Sequence, residues 1–147
     1  MRQLFATDPS LAIFIIRIVL GATFFAHGAP KVLGWFGGYG LKATATHFSS
    51  LGMPLALAYA VCFIEFFSGI GLIVGFLARL CGRGVAAVMS GAIATVHWRH
   101  GFFLNAELKP GKGHGIEFTL ALLNMGLAIL IAGAGALSLD RVLAAGL

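Results

Sequence analysis

The sequence predicts an all-α integral membrane protein, a four-helix bundle with a short interfacial helix in its first long loop. Three observations lead there. Hydrophobic residues make up 59% of the 147 residues and charged residues only 10%, against about 25% charged in an ordinary soluble domain. Four apolar stretches each approach the ~20 residues that a helix needs to cross a bilayer core. Small residues spaced by four recur inside them, Gly71 with Gly75 and Ala87 with Gly91, a pattern that favours close helix packing in lipid. A water-soluble globule of this size cannot hide so much apolar surface. A soluble enzyme, a nucleic-acid reader and a disordered chain are therefore excluded. The net charge of +5 sits between apolar stretches, where Lys and Arg set topology or meet anionic lipid.

The spans are read as Ser10–Ala29, Pro54–Ala78, Gly84–His100 and Ile116–Ala136, within a single domain covering 1–147. Asp8-Pro9-Ser10 and Met53-Pro54 supply helix starts. Arg17 inside the first stretch, and three further spans after it, make that stretch a retained helix and not a signal peptide. Between the first two spans, Leu41, Ala45 and Phe48 fall at i, i+4 and i+7, the spacing of a short helix lying at the interface. Trp35, Phe36 and Tyr39 before it fit an aromatic belt. The turn after the second span is short and holds Arg79 and Arg83. Lys and Arg divide almost evenly between the two sides, and the compact Arg79/Arg83 turn points to cytoplasmic termini. Cys62 and Cys81, 19 residues apart, are about 28 Å apart on one helix and too distant for a disulfide. The absence of a CxxC pair argues against dithiol chemistry.

Polar residues inside apolar spans are costly and mark a function or a structural partner. Arg17 lies 12 residues before the loop-side end of the first span and Glu65 lies 11 after that of the second. Both are then roughly 16–18 Å deep, which predicts a buried Arg17–Glu65 pair. A second polar layer gathers at the loop-side mouth, with His27 and Lys31 ending the first span, His97, Arg99 and His100 ending the third, His114 nearby and Glu117 opening the fourth. Ser90 with His97, and Glu117 with Asn124, are seven apart and share helix faces. Imidazoles and a carboxylate suit proton relay, so His27, His97 and Glu117 are the candidate catalytic residues. A quinone headgroup is the candidate ligand, held near Lys31, Trp35 and Phe36. Arg99, His100 and His114 read as headgroup-facing side chains. A metal or haem on His97 and His100 is the rival chemistry, but no H-E-x-x-H or C-x-x-C-H motif supports it.

The ordered set Arg17, His27-Gly28-Ala29-Pro30-Lys31, Gly34-Trp35-Phe36-Gly37-Gly38-Tyr39-Gly40, Leu51-Gly52-Met53-Pro54, Glu65, His97 with Gly101-Phe102-Phe103, Glu117 and Ser138-Leu139-Asp140 resembles the DoxX family of small bacterial membrane proteins. One departure is Ala134 between Gly133 and Gly135, where the family often has proline. The resemblance implies a multi-pass protein of the bacterial inner membrane. It also implies membership of a quinone-linked oxidoreductase system, because relatives include a quinol oxidase subunit and the membrane part of a thiosulfate:quinone oxidoreductase. Others work beside soluble redox enzymes in thiol and oxidative-stress defence. The expected partners are membrane lipid, a soluble redox protein and further copies of the chain, with no nucleic acid. The alternative function is a non-catalytic scaffold or small-solute carrier.

Overall fold

The computed structural model describes residues 5–146, so the first four residues and the last one of the predicted domain lie outside it. The order is α1 (Leu11–Leu33), a single 3-10 turn (Trp35–Gly37), α2 (Gly40–Ser50), α3 (Leu55–Val74), α4 (Ala78–Ala92), α5 (Glu117–Ala132) and α6 (Leu139–Ala145). Helix α4 continues through a π turn at Ile93–His97 and a 3-10 turn at Trp98–His100. Helix α1, helix α3 and the stretch Ala78–His100 are each long and apolar enough to cross a membrane, and α5 is a shorter apolar helix. The fold is a membrane helical bundle, with α1 packed along α3, α4 along α5, α3 against α4, and α2 laid over α1 and α3.

Leu20, Phe24, Leu72, Val85, Leu122 and Ile129 form the interior. Leu11, Ile15, Val19, Phe67 and Ile131 point outward, as side chains facing lipid do. Helices approach closely where one helix's glycine meets a neighbouring helix's backbone. A Cβ on Gly28 would lie 2.6 Å from the Phe66 backbone, and one on Gly82 would lie 2.7 Å from the Gly126 carbonyl. The predicted small-residue pairs are not these contacts. Gly75 is instead the left-handed C-cap of α3, with φ 71°, and Gly91 has open space beside it.

Four boundaries differ from the sequence reading, each for a physical reason. Helix α3 ends at Val74, four residues before Ala78, because Gly75 turns left-handed, so Arg79 and Arg83 lie within α4 and not in a turn. Helix α1 runs through Pro30 to Leu33, because a proline one turn from the C-terminus removes a single hydrogen bond; Gly34 then caps the helix by donating to the Pro30 carbonyl. Helix α4 begins at Ala78, six residues before Gly84. The Asp140 carboxylate accepts hydrogen bonds from Leu77 N–H (2.7 Å) and Ala78 N–H (2.8 Å) and so caps it. Helix α5 stops at Ala132, short of Ala136. The buried irregular segment that follows satisfies its backbone through Arg17 and Thr7, as membrane-depth irregular chain must.

The predicted Arg17–Glu65 pair does not form. Arg17 is fully buried, and its guanidinium donates to five carbonyls, those of Ala134 (2.7 Å), Leu72 (2.5 Å), Ile73 (3.0 Å), Ala136 (3.4 Å) and Leu137 (3.0 Å). Gly28, not Arg17, is the α1 residue level with Glu65 and Phe66. The 11 residues from Arg17 to Gly28 correspond to about 16 Å of helix. Extending α1 past Pro30 accounts for about one turn of that offset, and the rest arises because α3 starts beyond the end of α1, with Gly28 already opposite Phe66. Cys62 and Cys81 are both free.

Candidate functional site

Glu65 pairs with Lys31 across the α1–α3 contact. Glu65 is almost fully buried and Lys31 partly so, and the Lys31 ammonium also stands 5.7 Å from the centroid of the Phe48 ring, a cation–π distance. Helix α2 therefore lies over the pair. One side of this pair faces a cavity of about 420 Å³, within the size range of small-molecule sites.

The cavity is assembled from residues far apart in sequence. Helix α1 contributes Thr23, Phe24, His27 and Lys31; α3 contributes Glu65; and the α4 stretch contributes Met89, Ala92 and His97. Helix α5 adds Phe118, Thr119 and Leu122, and the loop before it adds Leu104, His114 and Gly115. Apolar surface dominates the wall, and the polar groups on it are held in fixed directions. His27 Nδ1 donates to the Thr23 carbonyl and His97 Nδ1 donates to the His114 carbonyl, both at 2.8 Å. His114 Nδ1 accepts from the Asn105 N–H at 3.3 Å. The Thr23 and Thr119 hydroxyls donate to the Val19 and Ile116 carbonyls, both at 2.9 Å.

The loop owes its shape to Asn105, which is buried in a mostly exposed segment. Its side chain donates to the Lys109 and Lys112 carbonyls and accepts from the Lys109 N–H. Backbone hydrogen bonds from residues 115–117 to 101–103 fold the loop back onto the start of α5. That fold-back places His114 on the cavity wall.

Of the residues named from sequence, His27, Lys31, His97 and Glu65 meet at this cavity. Glu117, Trp35, Phe36, Ser90 and Asn124 do not. The Glu117 carboxylate accepts from the Leu104 N–H at 2.9 Å and fastens the loop. Trp35 and Phe36 are exposed beyond the end of α1, with Trp35 edge-on to Phe25. The longer α1 carries both past the cavity mouth. Ser90 is exposed and does not share the wall with His97, and Asn124 is exposed and donates to the Leu120 carbonyl. Thr23 and Thr119 are the residues that the sequence reading missed, and His114, read there as headgroup-facing, lines the cavity instead. Only the apolar-face position of the two threonines hinted at them, and His114 depends on the loop. Among the described residues, no group of three or more His, Cys, Asp or Glu side chains is placed to hold a metal ion.

Fold and cavity together define a helical membrane protein with an ion pair and three imidazoles around a small apolar chamber. The chain belongs to the DoxX family, whose model matches residues 12–98. That match ends just past His97, whereas the resemblance read from the sequence continued to Asp140. The chain is also similar to a protein of Bacillus subtilis (strain 168) named "Putative oxidoreductase CatD", with 33% identity over 93 residues, 63% of this chain and 65% of that protein. The matched part thus spans just under two thirds of that relative's length. No solved structure matches.

Proposed function

We propose that this protein is the membrane subunit of a quinone-linked oxidoreductase system of the bacterial inner membrane, and that the 420 Å³ cavity holds the quinone headgroup. One observation carries the reading, the convergence of three imidazoles and the Lys31–Glu65 pair on a chamber that is otherwise apolar. A quinone needs that combination, with apolar walls for the ring and polar groups for its two oxygens. The name of the Bacillus subtilis relative supports an oxidoreductase context, and family membership supports a membrane one.

A bound quinone supplies two-electron, two-proton chemistry. Lys31 favours negative charge developing on a headgroup oxygen. His27 and His97 hold or pass protons at their Nε2 atoms. Electrons arrive from a soluble redox protein or a small reductant docked at the loop side, and the exposed apolar outer faces serve membrane lipid and further copies of the chain.

Mass spectrometry of the gently purified protein, with an absorption spectrum, tests the reading. The expected result is a stoichiometric quinone that is lost in His97→Ala, together with protection against thermal unfolding by added quinone. Finding neither quinone nor protection overturns it in favour of a scaffold or carrier, and a Soret band overturns it in favour of haem.

A further inference from the structure

We propose that the cavity binds the reduced, hydroxyl-bearing form of its quinone more tightly than the oxidised form, and so makes the bound quinone a stronger electron acceptor than the same quinone free in the membrane. This rests on the quinone reading above. The argument starts from where the hydrogens on the cavity wall are directed. A carbonyl oxygen can only accept, so the contacts to the Thr23 and His114 carbonyls place a proton on Nδ1 of His27 and of His97. In the neutral imidazole the other ring nitrogen is then a bare acceptor. The Thr23 and Thr119 hydroxyl hydrogens are likewise directed to backbone carbonyls, which leaves those oxygens with lone pairs free. Four wall groups therefore offer acceptors.

The donors are fewer. His114 Nδ1 accepts from a backbone N–H, so its proton sits on Nε2 and can be donated. The Lys31 ammonium is the second donor, and it is already held by Glu65 and covered by Phe48. A quinone presents two acceptor oxygens, for which the wall has His114 and the already paired Lys31, and makes no use of the wall's further acceptors. Its product, formed by adding two electrons and two protons, presents two O–H donors. An acceptor without a donor opposite it is costly in a dry chamber, and one facing a hydroxyl is satisfied. Two such differences of ordinary size amount to about tenfold in affinity. For a two-electron couple a tenfold preference for the reduced form raises the midpoint potential by about 30 mV.

The test uses the full-length protein in nanodiscs under anaerobic conditions at about pH 8. Three short-chain probes are compared: a benzoquinone, its hydroquinone and the hydroquinone dimethyl ether, which keeps the shape and lacks both O–H groups. The expected result is hydroquinone binding about tenfold tighter than either of the others. A mediated redox titration should place the bound couple above the free one. The hydroquinone-to-quinone ratio should fall toward one in His97→Phe and, by a few fold, in the near-isosteric Thr119→Val. Equal or tighter binding of the benzoquinone overturns this proposal and leaves the quinone reading standing. Failure of both redox forms to bind overturns both. A full preference retained in both variants overturns the assignment of these acceptors.

Discussion

The two ends of the bundle use polar groups in opposite ways. At the end that carries the chain termini, the charged side chains close on backbone. Arg17 takes five carbonyls. Arg79 takes the carbonyls of Ala6, Leu130 and Ile131, and Asp140 takes two N–H groups. At the loop-side mouth, His27, His97 and His114 line the cavity, and each commits one ring nitrogen to backbone. Sequence marks both ends alike, as ionisable residues in apolar surroundings. The difference lies in what remains unengaged after the backbone is satisfied, and that remainder is what a ligand can meet.

The sharpest way to break the comparison is Arg17→Met. It leaves several buried carbonyls without donors, each costing about 1–3 kcal/mol, so the expected loss is on the order of 3 kcal/mol or more. Thermal unfolding in detergent checks it; a near-normal midpoint would mean that the terminal end is no lock. Asp140→Ala comes next, because it removes the cap on α4 and should cost about 2 kcal/mol. Hydrogen exchange should rise first at Leu77 and Ala78, and unchanged protection there would count against the cap. Glu65→Met should cost about 1–2 kcal/mol by stranding the Lys31 charge, and the double variant Lys31→Met/Glu65→Met should recover most of it. A double variant no better than the single would show that the pair is not what matters. The smallest effect on stability is expected for His27→Ala and His97→Ala, within about 1 kcal/mol, although quinone binding is lost. Unfolding of both variants would place the mouth with the structural end.

The helices were legible because composition and span length decide them before any contact is known. The short α2 helix was legible too, since Leu41, Ala45 and Phe48 share one face of it. What stayed hidden was set by distant partners. Asp140 caps a helix 62 residues earlier in the chain, and nothing local to Ala78 announces it. The Arg17–Glu65 expectation failed on two assumptions, that Pro30 ends its helix and that the loop-side ends of the two helices are level. The longer α1 and an α3 that starts beyond its end together bring Lys31, and not Arg17, level with Glu65. At the candidate site, residue types on the spans were readable, and so His27 and His97 were found. His114 was named at the mouth but assigned to lipid headgroups, because a loop folded by Asn105 is what turns it to the cavity.

The π turn at Ile93–His97 makes the makeup of the chamber a matter of counting as well as spelling. Ala92 and His97 stand on the same wall five residues apart, where an unbroken α-helix would bring the next wall residue after three or four. Were the segment wound regularly, Val96, now facing outward, would occupy the place of His97. A deletion of one residue between the two would relax the wide turn and keep the imidazole in view. Straightening the turn at constant length would exchange it for an aliphatic side chain. Two relatives with identical letters around this histidine but different spacing upstream of it would therefore offer their ligands different chambers.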